Sequence, residues 1–145
     1  MRHKIKIHKL SRPKAHREAL LTNLVKALFA NYAIVTTIRK AKEARKLADK
    51  LITFAKKGGL SQRRQVLSYI QDKKLVRKLW DEIAPTFNDR QGGYTRITRV
   101  GIRKGDGAEL ALLELVGFEA QIKKKQEELE EKRKERTEKE MGGMR

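Results

Sequence analysis

Three histidines, His3, His8 and His16, are the only imidazoles in the chain, and all fall within its first seventeen residues, MRHKIKIHKLSRPKAHR. A metal site would need them to converge with carboxylates. That stretch holds seven Lys or Arg and no acid. The histidines therefore read as added hydrogen-bond donors, or as rings for stacking on bases. Asp81 and Glu82 are neighbouring carboxylates following Trp80. Adjacent residues of a helix do not face each other, so they read as a solvated face rather than an acid–base pair. No Ser-His-Asp or Cys-His set exists at usable spacing, and the absence of cysteine excludes thiolate catalysis, disulfides and Cys-based zinc. Gly105-Asp106-Gly107 lacks the spacing of a phosphate-binding loop and reads as a hairpin turn. Lys57-Gly58-Gly59 reads as a helix stop. The expectation is a protein that is not an enzyme and has no metal and no cofactor.

What survives is cationic surface. The formal net charge is +18, and charged residues make up 37%, against about 25% in an ordinary domain. Of that surplus, +17 lies before residue 119, and residues 119–145 are nearly balanced, with 9 basic and 8 acidic groups. Such an excess repels itself unless a polyanion screens it. Nucleic acid is the leading partner, because phosphates neutralised by Lys and Arg release counterions. Anionic membrane ranks second and acidic protein third. The apolar runs are too short to span a bilayer, and with nucleic acid the leading partner no membrane partner is expected. The leading segment lacks the apolar region of a signal peptide and the serine content of a transit peptide, so a cytoplasmic location is expected.

The elements that must position these cations follow from periodicity. Residues 1–10 carry too few apolar groups to order themselves, although Ile5 and Ile7 alternate with polar neighbours. Ser11-Arg12-Pro13 reads as a helix start, Ser11 being the cap. Ala19, Leu20, Leu24, Ala27 and Leu28 then follow helical spacing as far as Asn31. Residues 33–38 are β-branched and short, a strand. From Arg39 to Lys57, a stripe of Ala41, Ala44, Leu47, Ala48, Leu51, Ile52 and Ala55 predicts an amphipathic helix. Ser61 and Asp72 can cap two shorter helices, the second running over 73–84 and stopped by Pro85. Residues 94–103 and 110–116 read as strands of a hairpin, with a bulge at Gly101 and the second strand central. Residues 119–140 predict a solvated helix with i,i+4 pairs such as Glu128–Lys132, Glu130–Lys134 and Glu135–Lys139.

The expected fold is therefore α+β and two-layered. It has a small mixed three-stranded sheet with helices on one face in the order α-β-α-α-α-β-β, a basic N-terminal arm and a C-terminal helical extension. The expected division is arm 1–12, globular domain 13–117 and extension 118–145. The two helices around Gln71-Asp72 could imitate a helix-turn-helix. Their exposed Lys73, Lys74, Arg77 and Lys78 suit phosphate rather than base edges, which argues against sequence-specific DNA binding.

The candidate contacts to nucleic acid are Arg2, His3, Lys4, Lys6, His8, Lys9, Arg12, Lys14, His16 and Arg17 of the arm and its junction. Arg39, Lys40, Lys42, Arg63 and Arg64 join them, with the hairpin set Arg90, Tyr94, Arg96, Arg99, Arg103 and Lys104. Arginines on a strand with an aromatic nearby suit folded RNA, read through phosphate, sugar and stacking. Arg96, Arg99 and Arg103 would serve only if they point outward.

Gly92-Gly93-Tyr94-Thr95-Arg96-Ile97, Gly105-Asp106, Ala108 and Glu114-Leu115-Val116 are similar to the bacterial large-subunit ribosomal protein L-seventeen family. So are Met1-Arg2-His3, Leu10, Arg12, His16-Arg17, Ala19, Thr36-Thr37, Lys40-Ala41-Lys42-Glu43, Arg45, Leu51-Ile52, Ala55-Lys56, Arg63-Arg64 and Leu79. The resemblance spans residues 1 to about 117. It implies a structural rRNA-binding component of the large subunit near the nascent-chain exit tunnel, with large-subunit rRNA and neighbouring ribosomal proteins as partners and no obligate homo-oligomer. Lys4 to Lys9 depart from the Ser/Gly-containing stretch common in relatives, and the tail from about 118 exceeds many of them. A free RNA-binding or RNA-chaperone module is the alternative reading of the same charge.

Overall fold

A computed structural model of the chain describes residues 8–142, leaving aside the side chains of 135 and 137–142. The expected extended stretch around Ile5 and Ile7 and the Glu135–Lys139 pair lie outside what is described.

The first helix, α1, spans Lys14–Asn31 and is capped at Pro13, not at Ser11. Leu10 and Ser11 both take the left-handed conformation (φ 53° and 52°), so the chain turns there before the helix begins. Val25, Leu28 and Phe29 are its buried residues. Ala19, expected on the apolar stripe, is exposed, because α1 overhangs the core for its first turns. Strand β1 (Ala33–Thr37) leads into α2 (Ile38–Lys57). The predicted stripe of α2 is buried as expected, Leu47 only in part, and Gly58 (φ 68°) ends the helix. One charged residue, Glu43, is buried with the stripe.

Helix α3 (Leu60–Tyr69) starts from Gly59, so Ser61 lies inside it instead of capping it. Helix α4 (Lys73–Lys78) has the expected cap: the Asp72 carboxylate accepts from the N–H groups of Lys74 and Leu75 at 2.8 and 3.4 Å. Pro85 does not stop this segment. A π-helical turn at Leu79–Ile83, where Ala84 N–H reaches back to the Leu79 carbonyl, carries the chain into a last turn, α5 (Ala84–Thr86). Proline lacks the N–H of a regular helix and crowds the carbonyl four residues back. Widening the preceding turn relieves that conflict without breaking the helix.

Strands β2 (Thr95–Ile102) and β3 (Glu109–Leu115) form the predicted hairpin, with the register shift falling between Arg99 and Gly101. The sheet order is β1-β3-β2, so β3 is central as expected. Both pairings are antiparallel, which corrects the expected mixed sheet. β1 and β2, joined through the helices, run parallel to each other. The hairpin return places β3 between them, so they never pair.

One layer of helices covers one face of the sheet, and Ala111, Leu113 and Leu115 meet α2 and α1 there in a single core. Thr95 ties the layers by donating its hydroxyl to Asp49 of α2 at 3.1 Å. The last helix, α6 (Glu119–Gly142), begins in that core: Phe118 and Ile122 are buried, and Phe118 stacks on Tyr32 at 5.1 Å. Beyond its first turns α6 is exposed wherever its side chains are described, Lys125 excepted. No helix among the described residues is long and apolar enough to cross a membrane.

Candidate nucleic-acid interface

The root of the arm is a tight, cation-rich turn. Arg12 N–H donates to the Lys9 carbonyl at 3.1 Å, and Arg17 Nη1 reaches the Arg12 carbonyl at 3.5 Å. His8, Lys9, Arg12, Lys14 and His16 are exposed and Arg17 is partly buried. Leu10, Ser11, Arg12, Pro13 and His16 line a hollow of about 390 Å³. The root sits against α2, where His8 Nε2 lies 4.0 Å from the Glu43 carboxylate, which also accepts from Lys46 at 2.7 Å. Arg2, His3, Lys4 and Lys6 lie outside the described residues.

Arg39, Lys40 and Lys42 occupy the first turns of α2, whose first turn carries no acid. Cations at a helix N-terminus oppose the helix dipole. Exposed N–H groups, dipole and side chains there all favour a bound anion, which a phosphate satisfies. Lys46 and Lys50 continue from Lys42 at four-residue spacing. A groove of about 300 Å³ between α1, α2 and α3 is lined by residues including Arg17, Glu43, Lys46, Lys50 and Tyr69. Lys50 donates to the Tyr69 hydroxyl at 3.1 Å. Lys46 and Lys50 were not among the sequence candidates, although that spacing was the available signal. Arg63 and Arg64 of α3 are exposed, and Arg63 lies 5.9 Å from the centre of the Trp80 ring.

The hairpin set divides. Tyr94 is a correction: it is 2% exposed and packs on Phe87 with ring centres 5.1 Å apart, which removes its ring from stacking on a base. Lys56 covers its other side, 5.2 Å from the ring, and also donates to the Arg90 carbonyl. Gly93 (φ 63°) makes the turn that sends Tyr94 inward. Arg96 does reach the surface, but Nε donates to Glu114 at 2.6 Å and Nη2 to Glu119 at 3.2 Å. The Glu114 hydrogen bond and charge raise the Arg96 pKa above its ordinary value. Arg103 forms a fork onto Asp106, at 2.9 and 2.5 Å, and holds that carboxyl down at about 2. Arg90, Arg99 and Lys104 are exposed and make no ion pair among the described residues.

The fold thus carries the arm root, the start of α2 and α3 on neighbouring helices, and neutralises two of the hairpin arginines, Arg96 and Arg103, while Arg90, Arg99 and Lys104 stay without an ion pair among the described residues. Among the described residues no three His, Asp or Glu side chains gather as metal ligands would.

Residues 20–116 match the family model described as Ribosomal protein L17. The chain belongs to the ribosomal protein L17 family. It is 49% identical over 122 residues to the large ribosomal subunit protein bL17 of Desulfotalea psychrophila, covering 84% of this chain and 95% of that one. The bL17 protein of Finegoldia magna is 54% identical over 77% of this chain and 86% of its own. That of Acidobacterium capsulatum is 47% identical over 94% of this chain and 81% of its own. The family is structural and non-enzymatic, its members being ribosomal proteins. The family match ends at residue 116, ahead of α6.

Proposed function

We propose that the chain is a structural constituent of the bacterial large ribosomal subunit in the cytoplasm, binding and bracing large-subunit rRNA near the polypeptide exit tunnel. The observation that carries this reading is the unopposed charge at the arm root and the start of α2, in a chain that belongs to a ribosomal protein family. Residues 1–12 act as the rRNA-ordered arm, with Arg2, Lys4, Lys6, Lys9 and Arg12 on phosphates and the histidines assisting. Residues 13–117 form the body that aims them. The extension from 118 is rooted in the core by Phe118 and Ile122 and projects outward beyond them, its balanced charge giving rRNA little to hold. Its neighbours are other large-subunit proteins, and it has no obligate homo-oligomeric partner.

Deleting residues 1–12 is expected to abolish co-sedimentation with large subunits at moderate salt while leaving thermal unfolding of the body unchanged. Undiminished incorporation of the truncated chain contradicts the role of the arm. Crosslinks from Arg12, Lys14 and Arg39 in purified subunits are expected on rRNA around the tunnel exit. Crosslinks confined to the opposite face of the subunit contradict that placement.

A further inference from the structure

A second cluster of unopposed charge stands on α4. Four of its six residues are cations: Lys73, Lys74, Arg77 and Lys78. At helical spacing Lys73 stands over Arg77 and Lys74 over Lys78, and like-charge pairs at i,i+4 weaken a helix. So short a helix has little stability of its own. It is held by the Asp72 cap and by Leu75, Val76 and Leu79, which pack on the core.

Lys78 already has a structural role. Its ammonium lies 3.7 Å from the centre of the Tyr32 ring and donates to the Ala30 carbonyl at 3.0 Å. Lys73, Lys74 and Arg77 are exposed and make no ion pair among the described residues. With Lys78, Asp81 and Glu82 they line an open groove of about 430 Å³. Neither acid forms an ion pair with them. Glu82 accepts the Tyr32 hydroxyl at 2.5 Å. Asp81 follows Arg77 by four residues, but the π turn begins between them and no ion pair forms. This is the reverse of Arg96 and Arg103, where a carboxylate meets each guanidinium.

We propose that Lys73, Lys74 and Arg77 form a phosphate-binding surface for RNA, distinct from the arm and the start of α2. The inference rests on the reading of the chain as an rRNA-binding protein. Exposed Lys and Arg side chains on one helix suit the sugar-phosphate backbone of a folded RNA, so the surface contributes affinity and orientation.

The test uses the full chain and transcribed large-subunit rRNA, with affinity measured against KCl concentration. In the triple variant Lys73→Ala, Lys74→Ala, Arg77→Ala, the slope of log affinity on log salt is expected to become shallower by about 2, from three phosphates at roughly 0.7 each. The free protein is expected to stay folded, with a melting temperature unchanged or slightly raised because the like-charge pairs are relieved. In parallel, Lys73 and Lys74 of the unmutated chain are expected to be protected from acetylation by acetic anhydride when rRNA is bound. An unchanged slope in a folded triple variant overturns the proposal. So does equal acetylation with and without rRNA, a readout that needs no variant. A slope near −1 in the unmutated chain overturns the rRNA reading itself, whereas a steep slope insensitive to the triple variant overturns only the α4 surface.

Discussion

Arg96 on β2 and Arg103 just past its end belong to the stretch that residue type alone marks as an RNA contact, yet each is met by a carboxylate. A guanidinium held bidentate by its own hairpin has less to offer a phosphate, because binding must first displace the carboxylate. Asp106 makes this measurable. Its folded pKa, about 2, lies below the ordinary 3.8, chiefly through the Arg103 hydrogen bonds and then the Ala108 N–H. A depressed carboxyl stabilises the fold above its ordinary range, and the contribution is lost as pH falls from about 4 toward 2. The pair is exposed, so the effect on global stability is small. In an NMR pH titration, the Asp106 carboxyl is expected to titrate near 2 and to move up toward 3.8 in Arg103→Ala. An unmoved midpoint contradicts the pairing. Nothing in the sequence separates an arginine paired three residues ahead from one that is free. The inward turn of Tyr94 and the burial of Glu43 were equally illegible. The first needs the left-handed backbone of Gly93 and the second needs Lys46 brought alongside, and both are features of the folded chain.

Elements with a strong period were legible. The α2 stripe is buried as read, and β3 is central because Leu110–Val116 is nearly all apolar. Boundaries set by local chemistry were legible where one side chain decides them, as at the Asp72 cap, and misread where two signals compete. Ser11 and Pro13 both announce a helix start, and Pro13 is the cap. Pro85 announces a stop, but the π turn absorbs it. The sheet's sense was misread because it depends on which strand inserts between the other two, and no local pattern records that. The start of α6 was read as solvated because its glutamates and lysines dominate the sequence. Phe118 and Ile122 nevertheless join the core, and Lys125, like Lys78, donates to the Ala30 carbonyl at the negative end of α1. Phe118→Ala is expected to cost about 3–5 kcal/mol of unfolding free energy in urea. It is also expected to speed proteolysis within 119–125. A cost below about 1 kcal/mol contradicts core membership, since that is the range of ordinary surface changes.

At the scale of the whole molecule, the charge surplus and its uneven distribution were fully legible. Which cations stay unneutralised after folding was not, because that depends on carboxylates distant in sequence, such as Glu114 and Glu119 beside Arg96. Among the described residues the surplus is spread over the arm root, a helix N-terminus, a short cationic helix and the hairpin cations Arg90, Arg99 and Lys104, while Arg96 and Arg103 are met by carboxylates. In the proposed function the excess charge neutralises rRNA phosphate. Binding of the full chain to large-subunit rRNA across a range of KCl concentrations tests it most directly. With about eight phosphates neutralised, log affinity is expected to fall with log salt at a slope of roughly −6 to −7, and removal of residues 1–12 is expected to flatten it. A slope near −1, or one unchanged by removing the arm, contradicts the claim.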